Sequence, residues 1–170
     1  MALTSIGHSC AFCQITWRAL VSPPTKCHPT FMRYRVTRSI AAPSHQVWKV
    51  ISDVEHWPEW TPTMSEIRRL EPGELRLGSK AEIRQPNQPR RVWVVTELEN
   101  GSSFTWETHG KAFGFYAEHT VHPSHDGTEV VLEFGITGPT APVVSLLARR
   151  KVQAMVDTEA DSLKSHCETA

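Results

Sequence analysis

At 170 residues the chain has the length of a single domain with room for a sizeable core. Its 18 Lys and Arg balance 18 Asp and Glu, which argues against a generic nucleic-acid surface or a polybasic membrane surface. Of the 4 Cys, Cys10, Cys13 and Cys27 fall early and Cys167 near the end, which is no disulfide scaffold, so a reducing cytoplasm is the expected compartment.

Residues 1–31 form a leader expected to be poorly structured, and residues 32–170 form the folded domain. No Asp or Glu precedes Asp53, whereas Arg18, Lys26, Arg33, Arg35, Arg38 and Lys49 do. The leader has no sustained hydrophobic period and ends in the Pro-rich stretch Ser22 to Pro29. Three readings stay open for it. One is an extension ahead of a working start at Met32. A second is a targeting segment, although the apolar run Ile15 to Val21 is short and broken by Arg18. The third is a small metal site from Cys10, Cys13, Cys27 and His28, whose spacing does not match a common zinc knuckle or finger.

Tyr34 to Ile40 alternates and is rich in β-branched residues, so it reads as a strand. Ala41-Ala42-Pro43-Ser44 breaks it and offers Ser44 as a helix cap. Val47, Trp48, Val50 and Ile51 then recur at helical spacing. A second short helical turn is expected near Asp53, limited by Pro58 in the corner His56-Trp57-Pro58-Glu59-Trp60. Strands follow at Met64–Leu70, Ser79–Gln85, Arg91–Leu98, Ser103–His109, Phe113–His122 and Thr128–Thr137. Asn100-Gly101 and Asp126-Gly127 are the turn signals between the last pairs. The short turns imply sequential antiparallel pairing.

Ala141 to Lys164 reads as one long helix, about 24 residues and roughly 36 Å. Val144, Leu147, Lys151, Met155 and Leu163 form its apolar stripe, widened by Val143, Ala148, Val152, Val156 and Ala160. Arg149, Arg150, Gln153, Asp157, Glu159 and Asp161 fill the other faces. The run is too charged to span a membrane. A helix this long and two-faced needs a broad apolar surface, and the strands supply it.

The ordered motifs resemble those of the START-like SRPBCC superfamily, most closely its polyketide cyclase/dehydrase-type branch. They include Ile40-Ala41-Ala42-Pro43, Asp53-Val54-Glu55-His56-Trp57-Pro58-Glu59-Trp60, Leu77-Gly78-Ser79, Trp93-Val94-Val95-Thr96-Glu97-Leu98, Phe104-Thr105-Trp106-Glu107, His119, Gly138-Pro139 and Glu159-Ala160. The resemblance covers residues 33–168. It implies an α+β helix-grip fold, with a curved antiparallel sheet of about six to seven strands wrapped around the C-terminal helix and two short helices after the first strand. It also implies a deep apolar cavity between sheet and helix that takes lipids, sterols, polyketides or hormones, with no cofactor. Because that family carries no invariant catalytic triad, the resemblance assigns no catalytic residue.

Within such a cavity His119 is the first candidate for chemistry. It is in phase with Phe115, Ala117 and Val121, and imidazoles titrate near enough to neutrality for general acid–base work. A core histidine satisfied by a neighbour gives the same pattern. Trp106 shares a face with Phe104 and is expected to wall the cavity, while Trp93 competes with Val92 and Val94 for the inward face. Glu97 is in phase with Trp93 and Val95. If that face is inward, Glu97 is a buried carboxylate that favours its protonated form, and if not it is solvated. Leu132 and Phe134 share the alternating face of the last strand. Leu147, Lys151 and Met155 complete the expected lining from the helix. Lys151 would lay its stem at the cavity mouth with its ammonium in water, or, desolvated, form a Schiff base. His119, His122 and His125 are spaced by three, which on a strand places the first two on opposite faces and argues against a metal site.

The expected function is binding of a hydrophobic small molecule by a monomer or homodimer. The alternative is a polyketide cyclase or dehydratase in which pocket shape holds a flexible chain near its reactive geometry and His119 moves the proton. A protein-interaction module would need an apolar outer sheet face, where the sequence puts mostly charge.

Overall fold

The computed structural model describes residues 30–169. The leader, apart from its last two residues, lies outside this part, and with it Cys10, Cys13, Cys27 and His28. The elements run β1 (Thr30–Ile40), α1 (Ser44–Ser52), a 3-10 turn (Val54–His56), α2 (Trp57–Trp60), β2 (Glu66–Arg69), β3 (Lys80–Arg84), β4 (Arg91–Glu99), β5 (Ser103–His109), β6 (Gly114–Ser124), β7 (Gly127–Thr137) and α3 (Ala141–Thr169). The seven strands form one sheet in the order β1-β7-β6-β5-β4-β3-β2, antiparallel at every pairing. This is the helix-grip fold. Each of β3 to β7 pairs with the strand before it, as short turns demand. Only β1 departs, because α1 and α2 carry the chain to the opposite edge before β2 starts.

Three local expectations change. Ser44 is the first residue of α1, and Pro43 occupies the capping position without a side-chain bond. Pro58 does not end the second turn but sits in the first turn of α2, where its missing N–H costs nothing. Glu159, assigned by periodicity to a polar face of the long helix, is buried.

The inward rows are built by alternation. Phe115, Ala117, His119 and Val121 of β6 stand opposite Ile136, Phe134, Leu132 and Val130 of β7. Phe104 and Trp106 of β5 continue the rows, paired with His119 and Ala117. Tyr116 faces the other way and is buried on the outer face. Its ring lies where a Cβ on Gly135 would come within 2.0 Å, so glycine is needed there to accept the ring. Its hydroxyl donates to Glu133 at 2.9 Å, and Arg33 pairs with Glu133 at 3.0 Å.

α3 lies along β1 and β7. Tyr34 donates to Asp157 at 2.9 Å, Arg38 pairs with Asp161 at 2.6 Å, and Lys164 donates to the Ser39 carbonyl at 2.5 Å. The inward row of α3 is Ala141, Ser145, Val152, Val156, Glu159, Ala160 and Leu163. The buried residues of its first two turns, Ala141 and Ser145, are small. The bulky Val143 and Leu147 are thereby rotated outward, at 63% and 81% exposure.

Candidate functional site

The site lies between the inward face of the sheet and the middle of α3. Trp57, Trp93, Trp106, Met64, Ile83 and Val156 form most of its apolar wall, and His119 and Glu159 are buried polar members that bond each other, while Glu133, also in the lining, binds Tyr116 and Arg33 through its carboxylate. The enclosed space is about 30 Å³. That is room for roughly one or two water molecules, well below the several hundred Å³ of a drug-sized ligand site. Gln85, just after β3, Ala117 of β6 and Met155 of α3 are the half-buried members of the lining, and Gln85 meets Met155 at a seam between the sheet and α3. The Gln85 amide donates to the Met155 thioether across that seam at 3.2 Å.

The polar pair comes from two elements distant in sequence. Alternation on β6 puts His119 inward, and the helical period of α3 brings Glu159 onto the row of Val152, Val156 and Leu163. Their side chains meet at 3.3 Å, His119 Nε2 to Glu159 Oε1, with side-chain exposures of 3% and 10%. The second oxygen of Glu159 accepts from the Thr63 hydroxyl at 3.4 Å, and Thr63 is linked to Thr61 at 2.9 Å. Thr63 is thus the hydroxyl donor beside the pair, and no Lys or Arg bonds it among the described residues. The imidazole stacks on Phe104 with centroids 4.6 Å apart and planes 14° apart. Trp57 and Trp106 present edge-on contacts to it at 5.1 Å and 5.8 Å. Trp57 is itself fixed by its indole N–H donating to the Ile51 carbonyl at 3.1 Å. The Nδ1 atom of His119 is buried and finds no partner among the described residues.

Of the residues expected from the sequence, His119, Trp93, Trp106, Ala117, Leu132, Phe134 and Met155 line the cavity. Trp93 turns inward together with Val95, which resolves the competition with Val92 and Val94. Val95, Phe104 and Phe115 stand behind the lining. Phe104 backs the imidazole, and Phe115 stacks on Trp93 at 6.5 Å under the Arg91 guanidinium at 5.2 Å.

Glu97 does not join them. The register of β4 against β5 shifts between Val95, opposite Trp106, and Glu97, opposite Thr105. Thr96 is the extra residue of a β-bulge, and a bulge reverses the facing of everything after it. Glu97 consequently faces outward, accepting from the Thr105 hydroxyl at 3.4 Å, while Leu98 takes the inward place opposite Phe104. Leu147 and Lys151 are also outside the site. Both are exposed, on turns of α3 preceding Met155, and Lys151 has no desolvated environment that would prepare it for Schiff-base chemistry.

His122 and His125 are exposed, and His125 bonds Asp126 at 2.7 Å. Among the described residues no three His, Cys, Asp or Glu side chains converge in a way that could hold a metal ion. Among the same residues no helix is long and apolar enough to cross a membrane. Sequence reasoning missed Glu159 and Trp57 as site members. For Glu159 the signal was its place three residues after Val156 and four before Leu163.

Comparisons with known proteins agree with this fold. The family model described as polyketide cyclase / dehydrase and lipid transport matches residues 32–168. The chain belongs to that family. No curated protein matches it. Among solved structures it is similar to a hypothetical protein, jhp0584, from Helicobacter pylori, with a TM-score of 0.68 at 12% identity over 79% of this chain and 86% of the other. It is also similar to the di-domain ARO/CYC StfQ of the steffimycin biosynthetic pathway, with a TM-score of 0.64 at 14% identity over 81% of this chain and 50% of that one. Ara h 8.0201 matches with a TM-score of 0.58 at 10% identity, over 79% and 98% of the two chains. At these identities the likeness is one of fold. For this member of the polyketide cyclase/dehydrase and lipid transport family, function rests on its own cavity.

Proposed function

We propose that the protein binds a hydrophobic small molecule of polyketide, lipid or aromatic type in the cavity between the sheet and α3. The observation that carries this reading is an interior cavity walled by Trp57, Trp93 and Trp106 that keeps one polar pair, His119 and Glu159, inside it. Indole faces supply large apolar contact to planar ligands. A buried, hydrogen-bonded pair of ionisable side chains is costly to maintain in a core that only has to pack. Entry of a ligand requires the seam to open, and Met155, with its flexible thioether, is suited to repack around a guest. The proposal includes a cytoplasmic location and a monomeric or homodimeric state.

The buried dyad favours a second reading, a cyclase or dehydratase. Here His119 is the proton-moving group and Glu159, rather than Glu97, orients it. The wall would hold a flexible substrate in a reactive shape.

Native mass spectrometry of the protein purified from its own source, followed by solvent extraction, tests the binding reading. A co-purifying apolar compound whose affinity falls with Trp106→Ala supports it. Binding that is unaffected by Trp106→Ala refutes the cavity as the site. Turnover of a poly-β-keto substrate that disappears in a folded His119→Ala variant would establish the second reading.

A further inference from the structure

The even overall charge of the chain conceals one uneven surface. The first half of α3 carries a face that the sheet does not cover. Val143, Leu146 and Leu147 are 63%, 80% and 81% exposed, and spacings of three and four place them on one side of the helix. The next turn continues that side with the exposed cations Arg150 and Lys151, and Arg149 is exposed beside them. Apolar side chains thus come first, and cations follow within one turn.

The neighbouring loop extends the pattern. Thr140 donates to the Ala112 carbonyl through its backbone N–H at 3.3 Å and through its hydroxyl at 3.0 Å, which sets the exposed Lys111 beside the start of α3. Residues 109–114 and 138–156 contain no Asp or Glu. Lys111, Arg149, Arg150 and Lys151 have no carboxylate partner among the described residues. Arg33, Arg38, Arg68, Arg90 and Lys164, elsewhere on the surface, each have one.

Charge and size select what covers this face. A second copy would bring two clusters of Arg149, Arg150 and Lys151 together. The leader carries Arg18 and Lys26 without one acidic residue. Like charges therefore oppose both. A stable protein interface takes about 20–30 residues a side, whereas the apolar contact here comes from three protruding side chains. A bilayer bearing anionic headgroups needs no such area. Val and Leu side chains enter its apolar boundary, while flanking Arg and Lys keep their charged tips among the headgroups.

We propose that the first half of α3 is a peripheral docking face for bilayers that carry anionic phospholipid, with Val143, Leu146 and Leu147 inserting and Arg149, Arg150 and Lys151 holding the headgroups. This goes beyond the cavity reading and does not depend on what the cavity binds.

Co-sedimentation of the full chain with phosphatidylcholine vesicles, with and without roughly one-third phosphatidylserine, tests it. The protein is expected to sediment with the anionic vesicles and to stay in solution with the neutral ones. The variant Arg149→Ser/Arg150→Ser/Lys151→Ser should partition about a hundredfold more weakly, since each cation near such a surface contributes roughly fivefold. Val143→Ser/Leu146→Ser should partition at least about tenfold more weakly. All five positions are exposed, so both variants should stay folded. Vesicle binding that survives either variant, or that is indifferent to phosphatidylserine, overturns the proposal, and so does failure of the wild-type chain to bind. A wild-type dimer that Val143→Ser/Leu146→Ser dissociates, read by sedimentation velocity, assigns the face to a second copy and equally overturns it.

Discussion

Breaking the His119–Glu159 pair from one side should harm stability far more than removing both members. His119→Phe keeps a flat ring against Phe104 and costs little apolar contact. It also strips Glu159 of the partner at 3.3 Å and leaves one hydroxyl at 3.4 Å to support a buried carboxyl. Removing one side of a buried pair costs about 3–5 kcal/mol. Glu159→Gln puts an amide in the same place and removes the ionisable group, so the altered hydrogen bond should cost about 1–2 kcal/mol. The double variant contains neither ionisable group and should recover to about 2 kcal/mol below wild type, giving a coupling energy of roughly 2–5 kcal/mol. Urea unfolding followed by tryptophan fluorescence measures all four proteins, with unchanged slopes validating the comparison. In a thermal scan the His119→Phe variant should melt roughly 10 °C lower. Additivity of the single changes within about 0.5 kcal/mol would refute the reasoning, because it would mean that the two side chains do not sense each other.

Trp57→Ala should destabilise by about 3–5 kcal/mol, since the ring is fully buried and touches Trp60, Phe104, Trp106 and His119; a change under about 1 kcal/mol in urea unfolding would contradict that packing. Leu147→Ser should shift stability by less than about 0.5 kcal/mol and leave ligand affinity unchanged, which binding titration beside Trp106→Ala checks. Burial, with the Glu168 carboxylate nearby, pushes the Cys167 thiol up to about 11, so its alkylation by iodoacetamide at pH 8 should run roughly ten- to a hundredfold slower than in urea, read peptide by peptide by mass spectrometry. Because the folded state holds that proton more tightly, the Cys167 contribution to stability is intact below the ordinary thiol value of 9.0 and is lost as pH rises toward 11. Arg38 holds the Asp161 carboxyl below its usual 3.8, so this surface pair contributes above that pH and loses its contribution as pH falls through the folded value; Arg38→Ala should flatten that part of the acid-unfolding profile.

The fold was legible because its strands are nearly all simple alternators joined by short turns. Gly101 shows the principle, since its φ of +85° is the conformation that Asn-Gly signals. β6 and β7 kept their phase for eleven residues each, and so Phe115, Ala117, His119, Leu132 and Phe134 were placed on the correct face. The start of the helix was legible, but it runs on from the expected end at Lys164 to Thr169, and its rotation was less legible. Hydrophobicity alone weights Val143 and Leu147 as inward, whereas the structure turns Ala141 and Ser145 inward. Glu159 was lost to the same cause, a polarity rule applied where the row of Val152, Val156 and Leu163 already fixed the direction.

Glu97 failed for a different reason, and that failure explains how the site is made. Alternation along one strand fixes facing only while the pairing register holds, and a bulge is decided by two strands together. At Thr96 the extra residue leaves Trp93 and Val95 facing inward, and still allows Leu98, three residues beyond Val95, to pack opposite Phe104. An unbulged strand would have aimed Glu97 inward, near the ring that backs His119. A second carboxyl there would compete with Glu159 for the one imidazole and add a buried negative charge with no partner. The bulge leaves the interior with a single carboxyl from α3 and a single imidazole from β6. The polar chemistry of the cavity is thus set as much by the residue that β4 turns outward as by the two that remain inside.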